Sequence, residues 1–293
     1  MRNCFVILCI ICFSTNLSGQ GQPQQGQGTP QAQRPPQAVK VLGSSNVNHH
    51  GDPPYLLEEG WIPLINGKDM GGWKFQDESR GVWSAGRTDT WTSAKSIYWD
   101  QATDPRLLKA AGGPGDRIVN IPGGPEGTAS NLISMETAGD MELYAEFMIP
   151  EGANSGVYMH GLYELQIRHT FGLEQYTVTE YTGALYYYEN RRTHGISGAI
   201  APLVRAERPN GQWNAYHIWF QAPKFDASGK KIENAKFLRV LLNGVLIHEN
   251  QERIEGTQAC LDIPEAAKNP VVMLQGDHGS VAFRNIYYKP LNK

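Results

Sequence analysis

Between positions 141 and 149 apolar and polar residues alternate. Met141, Leu143, Ala145, Phe147 and Ile149 fall on one side, and Glu142, Tyr144, Glu146 and Met148 on the other. A period of two residues is that of a half-buried strand. Residues 213–221, WNAYHIWFQ, are rich in aromatic and β-branched side chains, and the apolar run 236–242 leads through Asn243-Gly244 into Val245-Leu246-Ile247-His248. Asn-Gly between two such runs predicts a hairpin, because both residues tolerate the positive φ of a type I′ turn. Residues 271–275 and 281–288 read as two closing strands. Apolar stripes of helical period are confined to two short stretches, 104–111 and 265–268, and no internal repeat is visible. Residues 77–138 contain GGPGD and IPGGPEG and read as long loops decorating one end. The pattern predicts an all-β, antiparallel protein, a sandwich or a barrel.

The first 54 residues are written differently. Arg2 precedes the apolar run 5–13, and Leu17-Ser18-Gly19 supplies a small-residue exit, which together read as a secretory signal peptide over residues 1–19. That run is about half the ~20 residues a membrane-spanning helix needs, so no transmembrane segment is expected. Residues 20–54 are dominated by Gln, Gly and Pro with almost nothing to bury, and read as a disordered linker. The folded domain is then 55–293, exported to the periplasm or secreted. Three of the four cysteines, Cys4, Cys9 and Cys12, leave with the signal, and Cys260 cannot form an internal disulfide alone. Stability must come from a core. A net charge of −3 and a pI near 6.2 give no basic surface for nucleic acid.

The chemistry concentrates in residues 154–169, NSGVYMHGLYELQIRH. If 163–169 is a strand, Tyr163, Leu165, Ile167 and His169 share one face, and Glu164, Gln166 and Arg168 share the other. A solvated outer face would give the same alternation. The turn Asn154-Ser155-Gly156 feeds a short strand ending at His160, however, which would pair with this one and add an imidazole beside the acid. An acid, an amide, a guanidinium and an imidazole, with aromatic rings nearby, are groups that bind sugar hydroxyls and cover the apolar faces of sugar rings.

The chain also resembles a known family. Gly60-Trp61-Ile62-Pro63-Leu64-Ile65-Asn66-Gly67-Lys68-Asp69-Met70-Gly71-Gly72-Trp73, Asn154-Ser155-Gly156-Val157-Tyr158, Tyr163-Glu164-Leu165-Gln166, Thr182-Gly183-Ala184-Leu185-Tyr186, Gly211-Gln212-Trp213-Asn214, Asn243-Gly244-Val245 and Leu274-Gln275-Gly276-Asp277-His278 look like the successive blocks of the 3-keto-disaccharide hydrolase family. Its members are described as 3-keto-glucoside 1,2-lyases and 3-keto-2-hydroxy-glucal hydratases. The resemblance implies a concanavalin A-like antiparallel β-sandwich (jelly roll), exported and acting after a dehydrogenase that oxidises the sugar at C3. It implies a 3-keto sugar, or another carbohydrate, as substrate. A ketone at C3 acidifies the C2 proton, whose removal lets the C1 substituent leave; hydration of the resulting 2-hydroxy-glucal completes cleavage. Such chemistry needs a base, support for the enolate and an acid. By motif position and strand face, Glu164 is the candidate base, Arg168 or His160 supports the enolate, and His278 is an acid or an orienting group. Asn154, Gln166, Glu180 and Gln275 would hold hydroxyls. His160 stands where the family often has Arg, and His169 where it often has Asp. No cofactor is identified: a divalent metal such as calcium or magnesium, held for example around Asp277, would leave no spacing signature. A conventional glycoside hydrolase, its second acid supplied by Glu180, and a non-catalytic carbohydrate-binding module are the alternatives.

Overall fold

The main strands of the domain pair into two antiparallel sheets packed face to face, with short two-stranded pairings beside them. In the larger, the order is Val245–Arg253, Ala235–Leu242, Asn214–Gln221, Met141–Met148, Val281–Pro290, Arg117–Asn120 and Trp91–Ala94, with Ile62–Pro63 also pairing on Val281–Pro290. In the smaller, the order is Tyr163–Arg168, Asn154–Met159, Val272–Leu274, Leu132–Ser134 and Trp73–Phe75. The computed structural model describes residues 59–76, 90–122, 129–174, 176–190 and 195–291, with the backbone of Lys40–Val41, which pairs in parallel with Val204–Arg205. The expected signal peptide and, apart from Lys40–Val41, the linker over 20–54 lie outside the described residues. Among the described residues none is helical, and no helix is long and apolar enough to cross a membrane.

The facing at 141–149 holds as read, with Met141, Leu143, Ala145, Phe147 and Ile149 all in the core between the sheets, but the strand is not half-buried, since Tyr144, Glu146 and Met148 on its other side are covered too. Asn243 and Gly244 take φ values of 53° and 80°, and the hairpin they close pairs Leu242 with Val245. Phe147 packs on Tyr216 with ring centroids 4.9 Å apart, and Tyr163 of the facing sheet packs on Phe220 at 5.7 Å. Burying these rings against one another removes apolar area at roughly 25 cal/mol per Å² and supplies the main cohesion.

Residues 77–138 are not simply loops where they are described. Trp91–Ala94 and Arg117–Asn120 complete the larger sheet, Leu132–Ser134 lies inside the smaller one, and Ser96–Trp99 pairs with Leu108–Ala111. These strands are three or four residues long, too short for alternation to show, and Ile118, Val119 and Asn120 are all buried. Both stretches with a weak helical stripe are non-helical, and 108–111 is a strand. Asn120 is the useful member of this region: its Nδ2 donates to the carbonyls of Gly276 (2.6 Å) and Gly279 (3.0 Å). That pins the turn carrying Asp277 and His278.

Candidate active site

Tyr163, Leu165 and Ile167 sink into the core, so Glu164, Gln166 and Arg168 face away from it on the outer side of the smaller sheet. Register opposes Arg168 with Asn154, Gln166 with Gly156 and Glu164 with Tyr158. On the next strand Met273 pairs with Tyr158, and the Gln275 N–H donates to the Gly156 carbonyl at 3.0 Å. Glu164, Gln166, Arg168, Tyr158, Asn154 and Gln275 therefore surround Gly156. A Cβ at that position would meet Tyr158 Cε2 and Glu164 Cγ at 2.9 Å each, and would press on Glu164 Oε1. The glycine leaves the hollow into which the carboxyl leans.

Although this is the outer face, it is covered. Leu261 packs on Tyr158 and Met273, the Glu164 N–H donates to Thr257 Oγ1 at 2.9 Å, and Tyr186 N–H donates to the Glu164 carbonyl at 3.3 Å. Glu164 is 2% exposed and Gln275 7%. Burial pushes the Glu164 carboxyl up to about 8, opposed by a hydrogen bond from Tyr158, raised further by Asp277 and opposed again by Arg253. The same burial holds the Tyr158 phenol well above its ordinary value, so Tyr158 stays a donor. Three buried oxygens on this face have no hydrogen-bond partner: Glu164 Oε2, Asn154 Oδ1 and Gln275 Oε1. Buried acceptors of this kind are normally completed by an ordered water or a ligand.

The rim carries the ionic groups. Arg168 Nη1 donates to Glu180 Oε1 at 3.1 Å, the guanidinium stacks on Tyr176 at 4.6 Å, and Thr177 Oγ1 donates to Glu180 Oε2 at 2.8 Å. Asn154 N–H donates to the His278 carbonyl at 3.0 Å, and His278 Nδ1 lies 2.6 Å from Asp277 Oδ1. The His278 side chain is 37% exposed while Asp277 is buried, so the imidazole reaches solvent with its other nitrogen oriented by a carboxylate.

The family model for the 3-keto-alpha-glucoside-1,2-lyase-like domain matches residues 60–289. The chain belongs to this family. Among solved structures it is similar to a Parabacteroides distasonis protein provisionally classed as a glycosyl hydrolase, with TM-score 0.52, 22% identity, and coverage of 80% of this chain and 84% of that one. Two further proteins of that organism, classed the same way, give TM-scores of 0.47 at 15% and 17% identity. They cover 80% and 79% of this chain and 95% and 99% of theirs. Identity at this level speaks to the fold alone. Comparison with curated proteins finds no match.

In this 3-keto-alpha-glucoside-1,2-lyase-like domain, then, one face brings together Glu164, Gln166, Arg168, Asn154 and Gln275, with Glu180 and His278 at its edge. His160 is not there. Its φ of 57° turns the side chain into the sandwich, where the ring meets Phe220 at 5.0 Å and Nε2 lies 3.2 Å from the Gly139 carbonyl. Burial lowers its basicity to about 4, so it is a neutral core residue. Strand parity fails at the first residue of a left-handed turn. Glu180 is engaged by Arg168 and Thr177, and the carboxylate that Glu164 feels is Asp277. Among the described residues no group of three or more His, Cys, Asp or Glu is placed to hold a metal ion. Sequence reasoning missed Tyr158 and Thr257 as neighbours of Glu164. Tyr158 was readable, sitting two residues from Gly156 on the same face; Thr257 comes from a segment whose position only the tertiary fold sets.

Proposed function

We propose that the protein cleaves 3-keto-glycosides by β-elimination, hydration of the resulting 2-hydroxy-glucal, or both. The observation that carries this reading is the set of three unpartnered acceptors, Glu164 Oε2, Asn154 Oδ1 and Gln275 Oε1, grouped around Gly156. A hydroxylated ring supplies the donors they lack. A carboxyl held near 8 moves a proton in either direction close to neutral pH, which both abstraction at C2 and the reverse protonation require.

In the elimination, ionised Glu164 takes the C2 proton, and the C–H electron pair becomes the enolate of the C3 ketone. That pair then forms the C1–C2 double bond as the C1–O bond breaks, and the leaving oxygen receives a proton from His278, oriented by Asp277. Arg168 keeps N–H donors beyond the one given to Glu180, and these serve the C3 oxygen as charge develops. Hydration returns water across the double bond, hydroxide to C1 and a proton to C2, from the same groups. The substrate would come from a dehydrogenase that oxidises the C3 hydroxyl, and the domain would work outside the cytoplasm.

A second reading has one observation in its favour. Asp277 is a second carboxylate close enough to raise Glu164, so an acid and base pair of the conventional glycoside hydrolase kind is available. Matched glucosides and 3-keto-glucosides, with and without chelator, separate the two. Turnover of the keto form alone supports elimination; turnover of the plain glucoside supports hydrolysis.

A further inference from the structure

Arg253 ends the strand Val245–Arg253 and is among the largest fully buried side chains of the described residues. Its Nη1 donates to the Gly198 carbonyl, its Nη2 donates to the Tyr186 carbonyl at 2.6 Å, and the guanidinium lies over the Tyr188 ring at 5.2 Å. Nε is buried and has no partner. These hydrogen bonds go to carbonyls and none to a carboxylate. A guanidinium taken out of water in this way is costly, and its charge favours the ionised form of a nearby carboxyl, something a neutral carbonyl clamp would not do.

The connections from Arg253 lead to Glu164. The peptide whose carbonyl takes Nη2 belongs to Tyr186, and the Tyr186 N–H donates to the Glu164 carbonyl at 3.3 Å. Four residues beyond Arg253, Thr257 N–H donates to the Leu162 carbonyl at 2.7 Å, and Thr257 Oγ1 accepts the Glu164 N–H at 2.9 Å. Glu164 is thus held by its backbone from two segments that Arg253 fastens together.

We propose that Arg253 is a positioning residue for Glu164: its fork ties the Tyr186 and Gly198 peptides to the edge strand, and its charge is the buried counter-charge against which the carboxyl ionises. Its catalytic consequence rests on the reading of Glu164 as the proton-transfer group; the electrostatic claim does not. The groups facing Glu164 are Tyr158 from the neighbouring strand, Asp277 from the 276–279 turn, Tyr186 from the covering segment, Tyr216 from the opposite sheet, and Arg253. Among these Arg253 is the cation.

The test reads Glu164 ionisation without requiring turnover. The difference in unfolding stability between the parent and Glu164→Gln is followed against pH in three backgrounds: Arg253, Arg253→Met and Arg253→Lys. Arg253→Met should move the Glu164 midpoint upward by about one pH unit, a tenfold loss of acidity. Arg253→Lys, which keeps the charge but loses the fork, should leave the midpoint near the parent's. An unchanged midpoint in a folded Arg253→Met protein overturns the proposal, and so does an Arg253→Lys midpoint displaced by a full unit. If the Met variant does not fold, Arg253→Gln, which removes the charge but keeps a hydrogen-bond donor, takes its place, with the same upward shift expected and an unchanged midpoint overturning the proposal. With a 3-keto-glucoside as substrate, the rise of kcat/KM with pH should shift upward in Arg253→Met by the same amount with little change in KM. Absence of any turnover would count against the elimination reading while leaving the stability arms to judge Arg253.

Discussion

Replacing Glu164 by Gln keeps the shape of the side chain and removes its titration, which isolates the strongest electrostatic feature of the site. In the unfolded chain this carboxyl titrates near 4.5, and in the folded protein burial raises it to about 8. Between those values the folded state holds a proton that the unfolded state has released. Stability therefore falls as pH rises through the window, being fully present below 4.5 and lost by the time pH passes 8. The linkage is worth about 1.4 kcal/mol per pH unit and on the order of 5 kcal/mol in all, a ceiling that water entry would reduce. His160 and His248, both held near 4 by burial, run the other way: their contribution is lost as pH falls from 6.5 toward 4. The difference between the parent and Glu164→Gln, in which the histidines cancel, is thus the quantity to measure. Denaturant unfolding at pH 5, 7 and 9 should show the variant gaining on the parent steadily across the series. In thermal melts the gain should reach about 10 °C at pH 9, at roughly 2–4 °C per kcal/mol for a domain of this size. Parallel stability profiles for the two proteins would refute the placement of a neutral, buried carboxyl at this position.

Further outcomes follow from the same geometry. Gly156→Ala places a methyl group against Glu164 and Tyr158, and should cost about 1–3 kcal/mol in denaturant unfolding and lower kcat by displacing the carboxyl. Asn154→Ala and Gln275→Ala each remove one unpartnered acceptor. Each should raise KM about 5- to 10-fold, as expected for one hydrogen bond of about 1 kcal/mol, with kcat changed less; steady-state kinetics check this. His160→Asn keeps a residue that tolerates the left-handed backbone and should leave kcat close to the parent's. It should reduce the loss of stability between pH 6.5 and 4, read by acid titration of the circular dichroism signal.

How much of this could be read from the chain differs from element to element. The long strands declare themselves because their core-facing positions are regularly apolar, and period two then maps onto a core list, as at 141–149, although Tyr144, Glu146 and Met148 on the other face are buried as well. The face of Glu164, Gln166 and Arg168 follows from the same arithmetic, since alternation does not depend on what covers a sheet. The cover itself was not legible. Glu164 is sealed by Leu261, Thr257 and Tyr186, which lie many residues away and meet it through tertiary packing. His160 was misplaced because parity assumes extended backbone and a single positive φ cancels it. The short strands between 91 and 120 were hidden because four residues are too few for alternation to register, and in Arg117–Asn120 both faces are largely buried, yet Asn120 among them fixes the turn that presents His278. Gly276 has a similarly local reason: a Cβ there would meet the Ser130 carbonyl oxygen at 2.5 Å and Trp91 Nε1 at 2.8 Å.

The central claim is that Glu164 transfers the C2 proton of a 3-keto-glycoside. The most direct measurement follows exchange of that proton for deuterium, together with product release, when parent and Glu164→Gln proteins are given a 3-keto-glucoside in D2O. The account predicts deuterium at C2 of recovered substrate or product with the parent. With the variant, exchange and cleavage should both fall by a factor of about 10²–10⁴, as for loss of a general base. Cleavage by the variant at near-parent rates, or parent cleavage of the plain glucoside with no exchange at C2, would contradict it.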